Sequence, residues 1–459
     1  MPSAVSASPA GAHGITKLTN CRLVRGDRLV SEDLWISAAT GKIVRGQAAF
    51  YDDHVLPDQT IDLGGRIVAP GLIDVQLNGA FGFNFSTLFG DEENGPRAQY
   101  CSRLRDLNRK LFQTGVTSYV PTVTSQTSEL YRKVIPFLAP TGSRMAEDGA
   151  ESLGAHVEGP FLSPTKNGVH NTAVLRVAET FADVEAMYGA ENLAVPTDTT
   201  GDQDNRRRLP AVRMITAAPE LGHMTDVVFP ELSRRGIVCS IGHTEASYEE
   251  AAAAMHHGAT MITHLFNAMR PLHHRNPGVF GVLGEAPTSG NGSSSSRRPY
   301  YGVISDGIHL HPTTVKIAYN AHPEGFLLVT DAMHMVGCPD GPYSWTNGDR
   351  EVRLNKTGKV LLLENSTTIA GSTTTLIECL ENFVNWTGTD LPRALRTVTS
   401  TPAAMLGLQG VKGTLDPGAD ADLIILSTNE DLPSPGGSPT TRLHIDEVWK
   451  FGTRVHKRE

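Results

Sequence analysis

Residues 237–267 read IVCSIGHTEASYEEAAAAMHHGATMITHLFN, and this stretch decides the fold. Ile237 to Ile241 is a short, apolar, β-branched run that ends at Gly242-His243-Thr244. Tyr248 to His257 is Ala-rich and made of strong helix formers, and Gly258 stands where a helix stop is expected. Thr260 to Thr263 is a second β-branched run, closed by His264. A strand, a crossover helix and a strand give parallel strands whose carboxyl ends face the same way. His243 and His264 then stand side by side on neighbouring strands about 4.8 Å apart, a spacing that suits two ligands of one metal ion. Two unrelated loop histidines are the alternative, in a chain that has 17. Equivalent positions at two successive strand ends favour the pair.

The same alternation extends in both directions. IVAPGLIDVQLN, from Ile67, reads as a first barrel strand. VTSYVPTV follows as the second, LGAHVEGP as the third and VRMITAAPE as the fourth. IVCSIGHT and ATMITHLFN are the fifth and sixth, YYGVISDGIH the seventh and FLLVTDAM the eighth. Helical segments are expected at Ala98–Thr114, Ser128–Leu138 and Ala182–Tyr188. Eight such units predict an α/β fold, a (β/α)8 TIM-type barrel over residues 67–399. Insertions near 87–97, 195–209 and 286–299 lengthen it, the last Gly/Ser-rich. Residues 343–365 look like a hairpin excursion after the eighth strand. Short β-like runs at 15–66 and 400–459 predict a small, discontinuous β-sandwich built from both termini, and residues 1–14 read as a disordered N-terminus.

Composition narrows the class. Of 459 residues, 39% are hydrophobic and 19% charged, which is ordinary for a soluble globular protein. The formal charge is −9, with no dominant basic patch, so nucleic acid is not an expected partner. Five scattered cysteines without a C-x-x-C pair predict free thiols in a reducing compartment. MPSAVSASPAGAHG has neither the charged nor the apolar region of a signal peptide, and no apolar run is long enough to span a bilayer. A cytoplasmic location and no membrane partner are the expectations.

Function in such a barrel gathers where strands end. Here those ends carry Asp74, Gln76 and Asn78, then His156 and Glu158, then His243, His264, Asp306, His309 and Asp331. Glu158, His243 and His264 supply two imidazoles and a carboxylate, a catalytic zinc pattern that leaves a position open for water. Asp331 is placed to move protons to and from that water. Taken singly, Glu158 reads equally as a salt-bridge partner and Asp331 as a helix N-cap. His170, in KNGVHN, and His309 are candidates to contact a substrate carbonyl and a hydroxyl or phosphate; loop residues bonded to nearby backbone are the equal alternative. His273-His274-Arg275 is either a solvated basic loop or an anion site, since arginine pairs with phosphate in a bidentate way. Ile369-Ala370-Gly371-Ser372 reads as a substrate-holding turn or an ordinary helix start. His256, His257 and His311 have no converging partner in the sequence reading.

The stretches PGLIDVQLNG, HVEGPF, KNGVHN, GHTEAS, THLFNAM, SDGIH, VTDAM and IAGS, with KGTLDPGADADLIIL near the end, resemble the amidohydrolase superfamily. Within it they resemble the N-acetylglucosamine-6-phosphate deacetylase family, in the same order and over nearly the whole chain. The resemblance implies amide hydrolysis of a phosphorylated amino sugar, in amino-sugar catabolism. It implies Glu158, His243 and His264 as metal ligands and Asp331 as the catalytic acid and base. It implies substrate contacts at Val169, His170, Asn267, Ala268, Arg275, His309, Ile369, Ala370 and Gly371. Arginine at the Arg275 position serves a neighbouring active site in similar enzymes, which implies a homodimer. Many superfamily members carry His-x-His on the first strand. Gln76 and Asn78 stand there in this chain, so one divalent ion per subunit, zinc by preference, is expected rather than two. A cyclic-amide hydrolase and a non-catalytic barrel scaffold are the competing readings.

Overall fold

The computed structural model of the chain describes residues 14–46, 56–88, 96–195, 209–285, 298–431 and 440–458. The expected disordered N-terminus up to residue 13 and the greater part of each expected insertion lie outside the described residues.

Among the described residues, eight parallel strands make the barrel, within a sheet that the two-residue strand Glu151–Ser152 joins as a ninth: β1 (Leu72–Leu77), β2 (Val116–Val123), β3 (Ala155–Glu158), β4 (Val212–Ala217), β5 (Val238–Ile241), β6 (Ala259–Ile262), β7 (Tyr300–Ile304) and β8 (Phe326–Val329). They are hydrogen-bonded in sequence order from β1 to β8. Closure comes at the carboxyl rim. Leu77 and Ala332 form an isolated parallel bridge, and Asp331 N–H donates to the Gln76 carbonyl at 2.9 Å. The fold is therefore the expected (β/α)8 barrel. Nearly all β-strand residues are buried, because helices cover the outside and side chains fill the inside.

The local chemistry explains the elements that carry the rim. The helix after β5 (Tyr248–His256) starts at a capping box: the Ser247 hydroxyl accepts from Glu250 N–H, and the Glu250 carboxylate accepts from Ser247 N–H. Gly258, at φ +111°, turns the chain into β6. The helix before β2 spans Pro96–Leu111 and tightens into a last turn, Phe112–Thr114, ended by Gly115 at φ +80°.

The expected single strand from Ile67 to Asn78 is in fact two. Ile67–Pro70 pairs with Arg22–Arg25 and Leu423–Asp431 in a six-stranded sheet built from both ends of the chain. The chain crosses to the barrel at Gly71, where a Cβ would lie 2.1 Å from the Thr117 hydroxyl oxygen, so only glycine fits this close crossing. A four-stranded sheet (Lys42–Val44, Leu34–Ser37, Ile15–Thr19, Gln59–Asp62) packs with the six-stranded one around Leu18, Leu23, Ile36, Val68, Leu423 and Trp449.

After β8 the excursion is larger than a hairpin. Strands β9 (Gly341–Asn347), β10 (Arg350–Thr357), β11 (Val360–Leu363) and β12 (Ile369–Ser372) form an antiparallel sheet. Ser372 bridges to Ala332, which joins this sheet to the barrel rim next to Asp331.

Candidate active site

The site lies where β1, β3, β5, β6 and β8 end. Glu158 closes β3, while His243 and His264 lie two residues beyond β5 and β6. His243 Nε2 is 3.2 Å and His264 Nε2 is 3.0 Å from Glu158 Oε1, and the two imidazole nitrogens are 3.0 Å apart. All three side chains are buried. His243 Nδ1 lies 2.8 Å from the Lys166 carbonyl, which can only accept. Nδ1 therefore carries a proton and turns Nε2 toward Glu158, the nitrogen through which this ring would ligate an ion. Burial works against ionising Glu158, but hydrogen bonds from the two histidines outweigh it and hold its carboxyl well below the usual range.

This donor set fits a divalent ion. Ligands about 2.0–2.1 Å from a tetrahedral centre stand about 3.3 Å from one another, close to the observed separations. Two imidazoles and one carboxylate also suit zinc in their softness. Glu158, His243 and His264 would hold it.

Asp331 lies beside this cluster, at φ +47°, with His243 at φ +50° and His264 at φ +27°. Three non-glycine residues in the left-handed region, all at one rim, are held there by the surrounding structure. Asn78 Nδ2 donates to Asp331 Oδ1 at 2.7 Å. Gln76 Nε2 donates to the same oxygen and to Glu158 Oε1, both at 3.2 Å. The first-strand amides thus tie the two carboxylates together. Burial, then the neighbouring Glu158 charge, pushes Asp331 up to about 6. An acid in that range is suited to trading protons near neutral pH. Beneath it, Asp74 accepts from Thr330 Oγ1 at 2.6 Å and from Gln76 N–H at 3.2 Å, which fixes both neighbouring strand ends.

The cluster floors a cavity of about 260 Å³. His170 enters from the loop after β3. Its Nδ1 accepts from Ser125 N–H at 3.2 Å, so the proton of the neutral ring sits on Nε2. Burial pushes His170 down to about 3, so the ring stays neutral. His309 is oriented by Asp306, whose Oδ2 lies 2.7 Å from Nδ1. Val169, Asn267, Ala268, Ile369, Ala370 and Gly371 also line the cavity.

Arg275 does not line it. It lies on an exposed loop with His273 and His274, whose rings are 4.3 Å apart. His256 and His257 lie at the end of an exposed helical turn, and His311 caps the helix Pro312–Ala321 by accepting from Thr313 N–H. Sequence reasoning missed Trp345 and Met333, which form an apolar wall, because a tryptophan in an excursion carries no periodic signal. It also missed Asp74 as a brace, although the first strand was read to its end.

Comparison with known proteins now decides the family. The amidohydrolase family profile matches residues 67–454. The chain is an amidohydrolase. This is a metal-dependent family, in keeping with the donor set above. N-acetylglucosamine-6-phosphate deacetylase of Homo sapiens is 39% identical over 419 residues, covering 91% of this amidohydrolase and 92% of that protein. A crystal structure of N-acetyl-D-glucosamine-6-phosphate deacetylase from Mycobacterium smegmatis is 26% identical, with a TM-score of 0.73 over 97% of this chain and 100% of that one. A variant of the Mycobacterium smegmatis enzyme in complex with N-acetyl-D-glucosamine-6-phosphate matches with a TM-score of 0.71, 26% identity and the same coverage.

Proposed function

We propose that this amidohydrolase removes the acetyl group of N-acetyl-D-glucosamine 6-phosphate, giving D-glucosamine 6-phosphate and acetate in amino-sugar catabolism. The observation that carries the reading is the convergence of Glu158, His243, His264, Asp331 and His170 on one cavity, in a chain that has relatives, 34–39% identical over nine-tenths of its length, named as deacetylases of this substrate. A bound divalent ion, one per chain and zinc by preference, supplies Lewis acidity at the acetyl carbonyl and makes water acidic.

The chain's own residues do the rest. Neutral His170 points Nε2–H into the cavity and donates to the carbonyl oxygen as charge develops there. Asp331 takes the proton from the attacking water and returns it to the departing nitrogen. Asn78 and Gln76 hold the Asp331 carboxylate on line for both transfers. Asp306 fixes the His309 ring toward the sugar. Arg275 binds the 6-phosphate. Because it stands outside its own cavity, the site is completed by a second copy, and the enzyme works as a homodimer in the cytoplasm.

The test is acetate release from N-acetyl-D-glucosamine 6-phosphate, run with elemental analysis of the active enzyme. The expected result is one acetate per glucosamine 6-phosphate and one ion per chain. A cyclic amide hydrolysed in preference, two required ions, or inert metal-loaded protein would sink the reading.

A further inference from the structure

The sheet β9–β12 touches the catalytic machinery at a second place besides its strands in the cavity wall. The turn from β9 to β10 sits on the loop that carries His170. Gly348 at its apex has φ +67°, and a Cβ there would lie 2.9 Å from Asn171 Nδ2 and 3.0 Å from Val174 Cγ1. The two segments are thus packed at the closest approach that a glycine permits.

The contact is specific as well as close. Asn347 Nδ2 donates to the Val169 carbonyl at 2.7 Å, and Asn347 Oδ1 accepts from Asn171 N–H at 3.1 Å. One side-chain amide therefore grips the backbone on both sides of His170, as a neighbouring strand would. Asn171 answers with its own amide, donating to the Asn347 carbonyl at 3.2 Å and to Asp349 Oδ1 at 2.6 Å. Asn347 and Asn171 are 3% and 1% exposed, so water does not compete for these bonds. From the other side, Ser125 N–H fixes His170 Nδ1. The ring is held between a brace on its backbone and a brace on its nitrogen.

We propose that Asn347 is a positioning residue for the deacetylation, acting through His170. Its amide sets where the His170 Nε2–H meets the carbonyl oxygen, which makes the excursion after β8 part of the catalytic apparatus. The inference rests on the role given above to His170. Asn347→Ala frees the backbone at residues 169 and 171. A donor displaced by about 1 Å can cost up to 10²-fold in rate.

A double-mutant cycle on kcat tests it, with metal content and thermal midpoint measured on each variant. His170→Ala alone is expected to lower kcat by about 10²-fold or more. Asn347→Ala is expected to lower kcat by about tenfold or more, with KM changed less than about threefold. In the His170→Ala background, adding Asn347→Ala should change kcat less than about twofold, because the group it positions is gone. Equal losses in both backgrounds overturn the proposal and leave the role of His170 standing. Near-normal turnover of His170→Ala overturns that role, and the proposal with it. If Asn347→Ala does not fold, Asn347→Asp runs the same cycle. It keeps the volume and the acceptor but sets an oxygen against the Val169 carbonyl.

Discussion

Among the described residues, two groups of three buried ligating side chains stand at opposite ends of the barrel. Glu158, His243 and His264 lie at the rim, and Glu151, Asp420 and Asp422 lie at the foot. Within each, the ligand atoms lie within 4.8 Å of one another. Their donors and their surroundings separate them. At the foot, Lys412 Nζ sits 2.6 Å from Glu151, 2.9 Å from Asp420 and 2.6 Å from Asp422. Lys450 Nζ adds bonds to Asp422 at 2.8 Å, Glu151 at 3.2 Å and the Thr117 carbonyl at 3.0 Å. Lys42 and Arg144 both reach Asp420, at 2.8 and 2.9 Å. The ammonium groups of Lys412 and Lys450 also sit over the Phe451 ring, at 4.9 and 4.2 Å. The foot has its cations covalently attached. The rim offers imidazole nitrogens and a carboxylate to an ion from outside. Proximity of ligands does not make a metal site; charge balance and donor type do.

The largest expected effect breaks the rim and spares the foot. Asp331→Asn keeps the shape but cannot accept a proton, so kcat should fall by roughly 10²–10⁴-fold with the ion retained. Kinetics beside elemental analysis check this, and near-normal turnover would move the proton transfer to another group. A chelator should abolish activity at the rim while leaving the foot's contribution to the urea midpoint untouched.

The next effect breaks the foot and spares the rim. Lys450→Met keeps an unbranched side chain one atom shorter but strips a cation from two buried carboxylates. Removing one partner of such a network destabilises by about 3–5 kcal/mol. Urea unfolding should show that loss, while kcat per folded, metal-loaded molecule stays within about twofold. A fall in kcat at unchanged stability would contradict the division of labour between the two ends.

The smallest effect sharpens the picture of the rim. Arg275→Ala should raise KM for the phosphorylated sugar about tenfold, since a charge-assisted hydrogen bond contributes about 1.5–3 kcal/mol. Unphosphorylated N-acetylglucosamine should be affected far less. Mixing Arg275→Ala with Asp331→Asn chains should restore activity in hybrid dimers. Equal harm to both sugars would make the loop structural.

What was legible in the sequence follows from how far apart the partners lie along the chain. His243 and His264 could be read because each ends a β-branched run, and a single helix separates those runs. Asp331 could be read from the same logic one strand pair later. The Ile67–Pro70 strand was misplaced because IVAPGLI runs apolar without a break from 67 to 73, and Gly71 gives no sign of the change of sheet that Thr117 imposes. Asn347 and Asn171 lie 176 positions apart, and Lys450 and Glu151 lie 299 apart. No local period links such residues. The role of Gln76 and Asn78 was half visible: they were read as poor ligands, but their hold on Asp331 appears only with β8 beside β1.

The left-handed backbone at His243, His264 and Asp331 sets the interests of folding against those of chemistry. A non-glycine residue held there costs of order 1–3 kcal/mol. Glycine at any of these positions would relax the chain and give up the group that reacts or binds. A search that rewards only thermal endurance would drift toward an inert, sturdier barrel at these three positions. Selection for turnover must keep pushing the other way, so these positions record what the protein is kept for.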